Sequence, residues 1–291
     1  TDCDLGGHVK GWPSLDSLAL ADVDRDALLE FYTRFGFRSF KKELEEDESA
    51  RAEVSKHEQR TGPSFDTSGP VGPQGEREFA YESVLTQDRL DHWLAKIKAA
   101  PLVAFDTETT SLDEMQARIV GVSFAVTSGE AAYVPLTHNY PDAPQQLPID
   151  DVLAQLKPWL EDERAHKVGQ HIKYDRHVLA NHGIDARGFV HDTLLQSYVL
   201  EAHLNHSLEK LAERHLGRKG LSYEDLCGKG AHQIAFSQVD IAKAVEYSGE
   251  DSEMTLAVHQ VLWPQLEVDA KQRFIYESIE MPVSDLLLRI E

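Results

Sequence analysis

The sequence predicts an α/β domain, a mixed sheet flanked by helices over residues 79–270. A small helical appendage at 1–40 and a flexible linker at 41–78 precede it. Three observations carry that reading. Between Val103 and Leu136, apolar segments rich in Val, Ala, Phe and Tyr follow one another, with a hairpin signal at Thr127-Ser128-Gly129-Glu130. Neighbouring segments place apolar residues at helical spacing, as in Leu90, Trp93, Leu94 and Ile97. Sheet first and helices interleaved afterwards is the order of an α/β or α+β domain. Before residue 79 the composition shifts to Gly, Pro and Ser, which bury little.

Each element has a local reason. Leu28, Leu29, Tyr32 and Phe35 give Arg25 to Phe35 one apolar helical face, with Asp22 or Asp24 as cap and Gly36 as stop. Lys41 to Arg60 is dense in mixed charge, and Gly62-Pro63-Ser64, Gly69-Pro70 and Gly72-Pro73 follow. A strand is expected from Phe79 to Val84, then a helix from Thr86 to Lys98 with Thr86 as N-cap. The strand starting at Val103 is followed by strands at 118–126 and 131–136, a loop at Pro141-Asp142-Ala143-Pro144, and a helix opened by Asp150 and running to Leu160. A short strand spans 166–170, and the pattern turns helical from Lys173.

Bulk properties narrow the function. A length of 291 residues suggests about two domains, and 41% hydrophobic residues are enough for a real core. No apolar run approaches the ~18 residues of a membrane span, and Thr1-Asp2-Cys3-Asp4 does not open a secretory signal. Without an initiator Met, the chain reads as a fragment or a processed form. Cys3 and Cys227 form no disulfide framework, so a reducing cytoplasm is expected. A net charge of −21 argues against a generic nucleic-acid binder and suits a protein that holds divalent metal. Among the 14 histidines, His166, His171 and His177 lack a C-x-x-C or H-E-x-x-H context, so no dedicated zinc site is expected. Trp12, Trp93, Trp159 and Trp263 read as core or hinge packing. Gly228-Lys229-Gly230 reads as a tight turn with one basic contact.

The chemistry gathers around Val103-Ala104-Phe105-Asp106-Thr107-Glu108, where apolar residues run straight into two carboxylates. Residues two apart in a strand share a face, so Asp106 and Glu108 can aim at one point, as a hard divalent cation requires. Alone, D-x-E reads equally as solvated edge acids. Asp175 lies near a helix start, where an acid also serves as a dipole partner. Tyr247 and Asp251 are four apart and share one helix face, whereas Glu250 and Glu253 read as solvated surface charges. Four carboxylates and a hydroxyl are the parts of a two-metal phosphodiesterase, in which cations activate water and stabilise the leaving oxygen.

These residues carry a resemblance. Phe105-Asp106-Thr107-Glu108-Thr109, Lys173-Tyr174-Asp175-Arg176, His191-Asp192-Thr193, Leu211-Ala212-Glu213-Arg214, Gly228-Lys229-Gly230 and Tyr247 through Asp251 resemble the proofreading (3′→5′) exonuclease domain of bacterial DNA polymerase I. That domain belongs to the ribonuclease H-like superfamily of exonucleases with four acids and a tyrosine. The likeness runs from about residue 79 to the end of the chain. Residues 1–40 resemble, more loosely, the tail of the 5′-nuclease domain, and Glu280-Met281-Pro282 resembles the opening of the polymerase domain, placed at 271–291.

The resemblance implies two divalent ions, Mg²⁺ or Mn²⁺, with Zn²⁺ as an alternative at one position. Asp106, Glu108 and Asp251 would hold the first, with Asp106 also touching the second and Asp175 acting through metal-bound water. Tyr247 would align the attacking water. Leu112 would wedge against the terminal base, and Gln170, His171, Tyr174 and Tyr223 would contact a single-stranded or frayed 3′ DNA end. A monomer without polymerase activity is expected, weak in DNA affinity and strongly salt-sensitive. The sequence departs from the family at His171, where Asn is frequent, at Thr110, where Asp is frequent, and in a short segment Glu201-Ala202-His203-Leu204-Asn205 lacking a basic residue. Two alternatives stay open: a ribonuclease-D-like RNA exonuclease using the same acids, and a catalytically silent scaffold. The linker and the Glu280-Met281-Pro282 end favour the polymerase reading over the first.

Overall fold

The computed structural model describes residues 79–230 and 233–291. The expected appendage at 1–40, the linker at 41–78, Trp12 and Cys3 lie outside the described residues. The elements run β1 (Ala80–Ser83), α1 (Gln87–Ala99), β2 (Val103–Thr109), β3 (Ile119–Thr127), β4 (Glu130–Pro135), α2 (Ile149–Leu160), β5 (Lys167–Gly169), α3 (Ile172–Ala180), β6 (Phe189–Asp192) and α4 (Thr193–Glu201). Then come α5 (Leu208–Leu211), which continues as a π-helical turn to Leu216, α6 (Tyr223–Cys227), α7 (Ile241–Val268), α8 (Ala270–Ile275) and, after a second π-helical turn at Tyr276–Glu280, α9 (Met281–Ile290).

The six strands form one mixed sheet in the order β1-β4-β3-β2-β5-β6. β2, β3 and β4 pair antiparallel, and β1, β5 and β6 join parallel to their neighbours. This is the predicted mixed α/β architecture, and among the described residues the expected strand and helix boundaries are met within two residues, while the helix expected from Arg25 to Phe35 lies outside the described residues. Thr86 occupies the predicted N-cap position of α1, although its hydroxyl makes no capping bond.

Alternation along β2 decides what each face of the sheet carries. Val103 and Phe105 point into the larger core with α1, α2 and α3. Phe105 packs against Phe124, Trp159 and Phe189, with ring centroids 5.6, 6.2 and 6.1 Å away. Burying each such side chain contributes roughly 1.5–3 kcal/mol, which fixes the strand. Ala104 points to the other face and packs with Leu256 of α7. Trp93 and Trp159 are core residues, as expected. Trp263 packs with His191, His259 and Tyr276.

Two close approaches make this geometry possible. Gly121 pairs with Glu108 in the β2–β3 register, and any side chain there would run into the Tyr133 ring. Gly249 lets α7 approach the Tyr81 ring, which a Cβ would meet at 2.9 Å. The β2–β3 register shifts between Glu108 and Thr109, a bulge that ends the strand where its carboxylates emerge.

Candidate active site

All ten residues singled out by sequence line one cleft of about 240 Å³: Asp106, Glu108, Leu112, Gln170, His171, Tyr174, Asp175, Tyr223, Tyr247 and Asp251. Thr107, Thr109, Thr110 and Ser111 complete its wall. No Lys or Arg contributes to the lining.

The acids arrive from three elements. Asp106 and Glu108 lie on the α7 side of β2. Asp251 and Tyr247 come from α7, one turn apart. Asp175 comes from α3 on the opposite side, where Thr107 meets it. The Thr107 amide and hydroxyl both donate to Asp175 Oδ1, at 3.1 and 2.6 Å. The Ser248 hydroxyl donates to Glu108 Oε1 at 2.5 Å.

Burial sets the electrostatics. It pushes the Asp106 carboxyl up to about 6, against the lowering effect of the Thr107 amide. Glu108 rises well above the carboxylate range, first from burial and then from the charges of Asp106 and Asp251, with Ser248 opposing. Asp175 and Asp251 rise for the same two reasons, burial first and Asp106 second. Tyr247 is pushed far above the ordinary phenol value by burial and by Asp251, Glu108 and Asp106, so it keeps its proton. Its ring is held by Phe236 and Tyr223, at 6.0 and 6.5 Å between centroids.

Tyr133 lies behind the acids and is raised by burial and by Glu108 and Asp106. Its hydroxyl meets His138 Nε2 at 2.7 Å, while His138 Nδ1 lies 2.9 Å from the Val239 carbonyl. A carbonyl can only accept, so Nδ1 carries the proton and Tyr133 donates to Nε2.

The cleft rim is mixed. Leu112 is 92% exposed on the loop after β2, the most exposed large apolar side chain described. The Gln170 amide is engaged at both ends, donating to the His206 carbonyl at 2.8 Å and accepting from Thr193 at 2.5 Å. The Tyr174 hydroxyl donates to the Ser111 carbonyl at 2.5 Å. His171 sits at φ 64, a left-handed conformation in which Asn and His are enriched among non-glycine residues.

Four residues to which the sequence reading gave no role of their own support the site: Thr107, Ser248, His138 and Asp192. Asp192 is buried and caps two helices at once. It accepts from Leu194 N at 2.9 Å on α4, and from His171 N at 3.1 Å and Ile172 N at 2.9 Å at the start of α3. An acid followed by Thr at a helix start is a visible cap signal. Its bond to a second helix is not visible in sequence.

One expectation is corrected. Glu253 is not a solvated surface charge but fully buried. It accepts from Ser128 Oγ at 3.1 Å and Gly129 N at 3.0 Å, and pairs with Arg218. Glu250 is part-buried and accepts from Leu221 N at 2.8 Å. The turn at Gly228 and Gly230 has both glycines at positive φ, and Lys229 makes its basic contact with Glu224.

Among the described residues, no three His, Cys, Asp or Glu side chains close into a ready-made coordination sphere. His166, His171 and His177 therefore do not gather. The carboxylates share the cleft, and no Lys or Arg lies on its wall to offset their repulsion. The donor set still fits divalent cations: hard oxygens, buried, with no competing protein cation.

Sheet topology and cleft together define a ribonuclease H-like nuclease fold with an acidic centre. A profile described as 3'-5' exonuclease matches residues 81–267, and the chain belongs to this family. It is 42% identical over 280 residues to DNA polymerase I of Pseudomonas aeruginosa, covering 95% of this chain and 29% of that protein. The chain spans less than a third of the length of such curated relatives. In fold it is similar to the POL domain of Pol1 from M. smegmatis, solved with DNA primer-template and dNTP, at TM-score 0.55 and 19% identity over 71% of this chain and 31% of that one. It is also similar to the catalytic core of RRP6 from Trypanosoma brucei, at TM-score 0.54 and 17% identity over 71% and 54% of the two chains. No described helix is long and apolar enough to cross a membrane.

Proposed function

We propose that this chain is the proofreading domain of a DNA polymerase I. In this reading it removes nucleoside monophosphates from single-stranded or frayed 3′ DNA ends. Residues 79–270 form the exonuclease domain, and 271–291 begin the segment that leads into the polymerase. The observation that carries the reading is the convergence of Asp106, Glu108, Asp175, Asp251 and Tyr247 in one buried cleft with no lysine or arginine on its wall.

Asp106, Glu108, Asp175 and Asp251 are the residues that would hold two divalent cations, Mg²⁺ or Mn²⁺. When bound, these would supply the charge that activates water and stabilises the leaving oxygen. The remaining roles belong to the chain itself. Tyr247, protonated throughout the working pH range, donates a hydrogen bond that orients the attacking water and does not act as a base. Leu112 offers an apolar wedge to the terminal base. Tyr174 and Tyr223 offer ring faces that accept any base, which suits an end read without sequence preference. An unpaired end is favoured because entering the cleft requires unstacking that a mismatch has already partly undergone.

The test is digestion of 5′-labelled single-stranded DNA and RNA with Mg²⁺ or Mn²⁺. Stepwise shortening of DNA from the 3′ end is expected. Preferential shortening of RNA would move the assignment to a ribonuclease-D-like activity. No release from either, at any protein concentration, would leave a scaffold.

A further inference from the structure

Ser248 and Thr107 lie within the acid cluster, yet neither carries a charge. Ser248 is fully buried, as an alcohol seldom is without a purpose for its proton. Its hydroxyl donates to Glu108 Oε1 at 2.5 Å, across from α7 to β2. Thr107 sits between the two strand acids on the opposite pleat and uses both its donors on Asp175 Oδ1. Each tether engages one oxygen. Among the described residues no hydrogen bond reaches the other oxygen of Glu108 or of Asp175.

From this we infer that Ser248 and Thr107 are positioning residues, each fixing one oxygen of its carboxylate so that the other alone is presented to a divalent cation. The inference rests on the metal-dependent reading of the cleft. Its physical basis is that a carboxylate on a flexible side chain can rotate, and in a crowd of like charges it turns away from its neighbours. A buried hydroxyl anchored in a helix or strand removes that freedom. Neutral donors suit the task better than a lysine or arginine, which would compete with the cation for the same oxygens.

The experiment is Mn²⁺ binding to the 291-residue chain, by calorimetry and by the electron spin resonance of free Mn²⁺, without nucleic acid. Ser248→Ala and Thr107→Val should each weaken Mn²⁺ binding about 10-fold or more, the usual consequence of losing a hydrogen bond behind a metal ligand. Thr107→Ser keeps the hydroxyl and should restore wild-type binding. Ser252→Ala removes a buried hydroxyl one turn further along α7, where it meets only Ser123. It should leave Mn²⁺ affinity unchanged, which separates positioning from general loss of packing. Wild-type affinity in both Ser248→Ala and Thr107→Val would overturn the inference while leaving the metal reading intact. A wild-type chain that takes up no Mn²⁺ would overturn both.

Discussion

Asp251 and Glu253 are two residues apart on the same helix, the first half-buried at the cleft wall and the second fully buried, and they have opposite surroundings. Glu253 meets a hydroxyl, a backbone amide and the Arg218 guanidinium. Asp251 meets Tyr247 and, beyond it, the charge of Asp106. The same contrast recurs along the sheet. Lys167, at the start of β5, is fully buried. Its Nζ donates to the Ala165 and Arg187 carbonyls at 2.6 and 2.9 Å and lies 4.5 Å from the Trp159 ring centre. At the other end of β5 the cleft acids face one another. A buried charge whose partners are all supplied by the chain holds structure together. Buried charges of one sign with no counter-charge are held against their own repulsion, and an external cation relieves it.

That difference can be broken from either side. On the proposed reading, the largest effect is expected from Asp106→Ala or Asp251→Ala, which should lower the rate of nucleotide release roughly a thousandfold or more, as the loss of a metal ligand would. Gel assays on labelled DNA would measure it, and melting of the metal-free variant should be no lower than wild type, because repulsion is removed. The reverse pattern is expected of Arg218→Ala. It strands Glu253 without its cation and should destabilise the fold by about 2–3 kcal/mol, discounted for the part-exposed Arg218 side chain. Denaturant titration would give that loss, while activity per folded molecule is retained. Tyr247→Phe should slow hydrolysis about 10–100-fold, since one oriented hydrogen-bond donor is lost, and leave Mn²⁺ binding intact. A variant as fast as wild type would remove the tyrosine from the water-orienting role. The smallest effect is expected from Leu112→Ala, at a position 92% exposed. Its melting temperature should not move, while the preference for frayed over paired 3′ ends should diminish in competition assays.

How far the sequence reached follows the same physics. Asp106-Thr107-Glu108, with Asp175 and the Tyr247–Asp251 pair, was legible because strand and helix periodicities fix which side chains share a face. The sheet was legible because its central strands are apolar runs rich in Val, Ala, Phe and Tyr, bounded by turns. Glu253 was misread because its partners, Ser128, Gly129 and Arg218, are distant in sequence. A charge at i+2 from a cleft acid looks solvated until the fold brings its partners in. Ser248, Thr107 and the double cap by Asp192 were missed for a related reason. Small hydroxyls and cap acids have no charge pattern, and their value depends on what lies across the gap.

The central claim is that the acid cluster is strained without divalent cations, and thermal melting against pH with and without Mn²⁺ tests it most directly. The Asp106 carboxyl ordinarily titrates at 3.8 and is raised to about 6 in the fold. Between those values the folded chain holds a proton that the unfolded chain has released. The stability this contributes is therefore full below about 4 and lost as pH rises through 6, and Glu108, Asp175 and Asp251 extend the loss upward. The metal-free chain should melt lower at pH 8 than at pH 5.5. Mn²⁺ should raise the melting temperature at pH 8 and have little effect at pH 5.5, and Asp251→Asn should diminish both dependences. A melting temperature indifferent to Mn²⁺ at pH 8 would contradict the account.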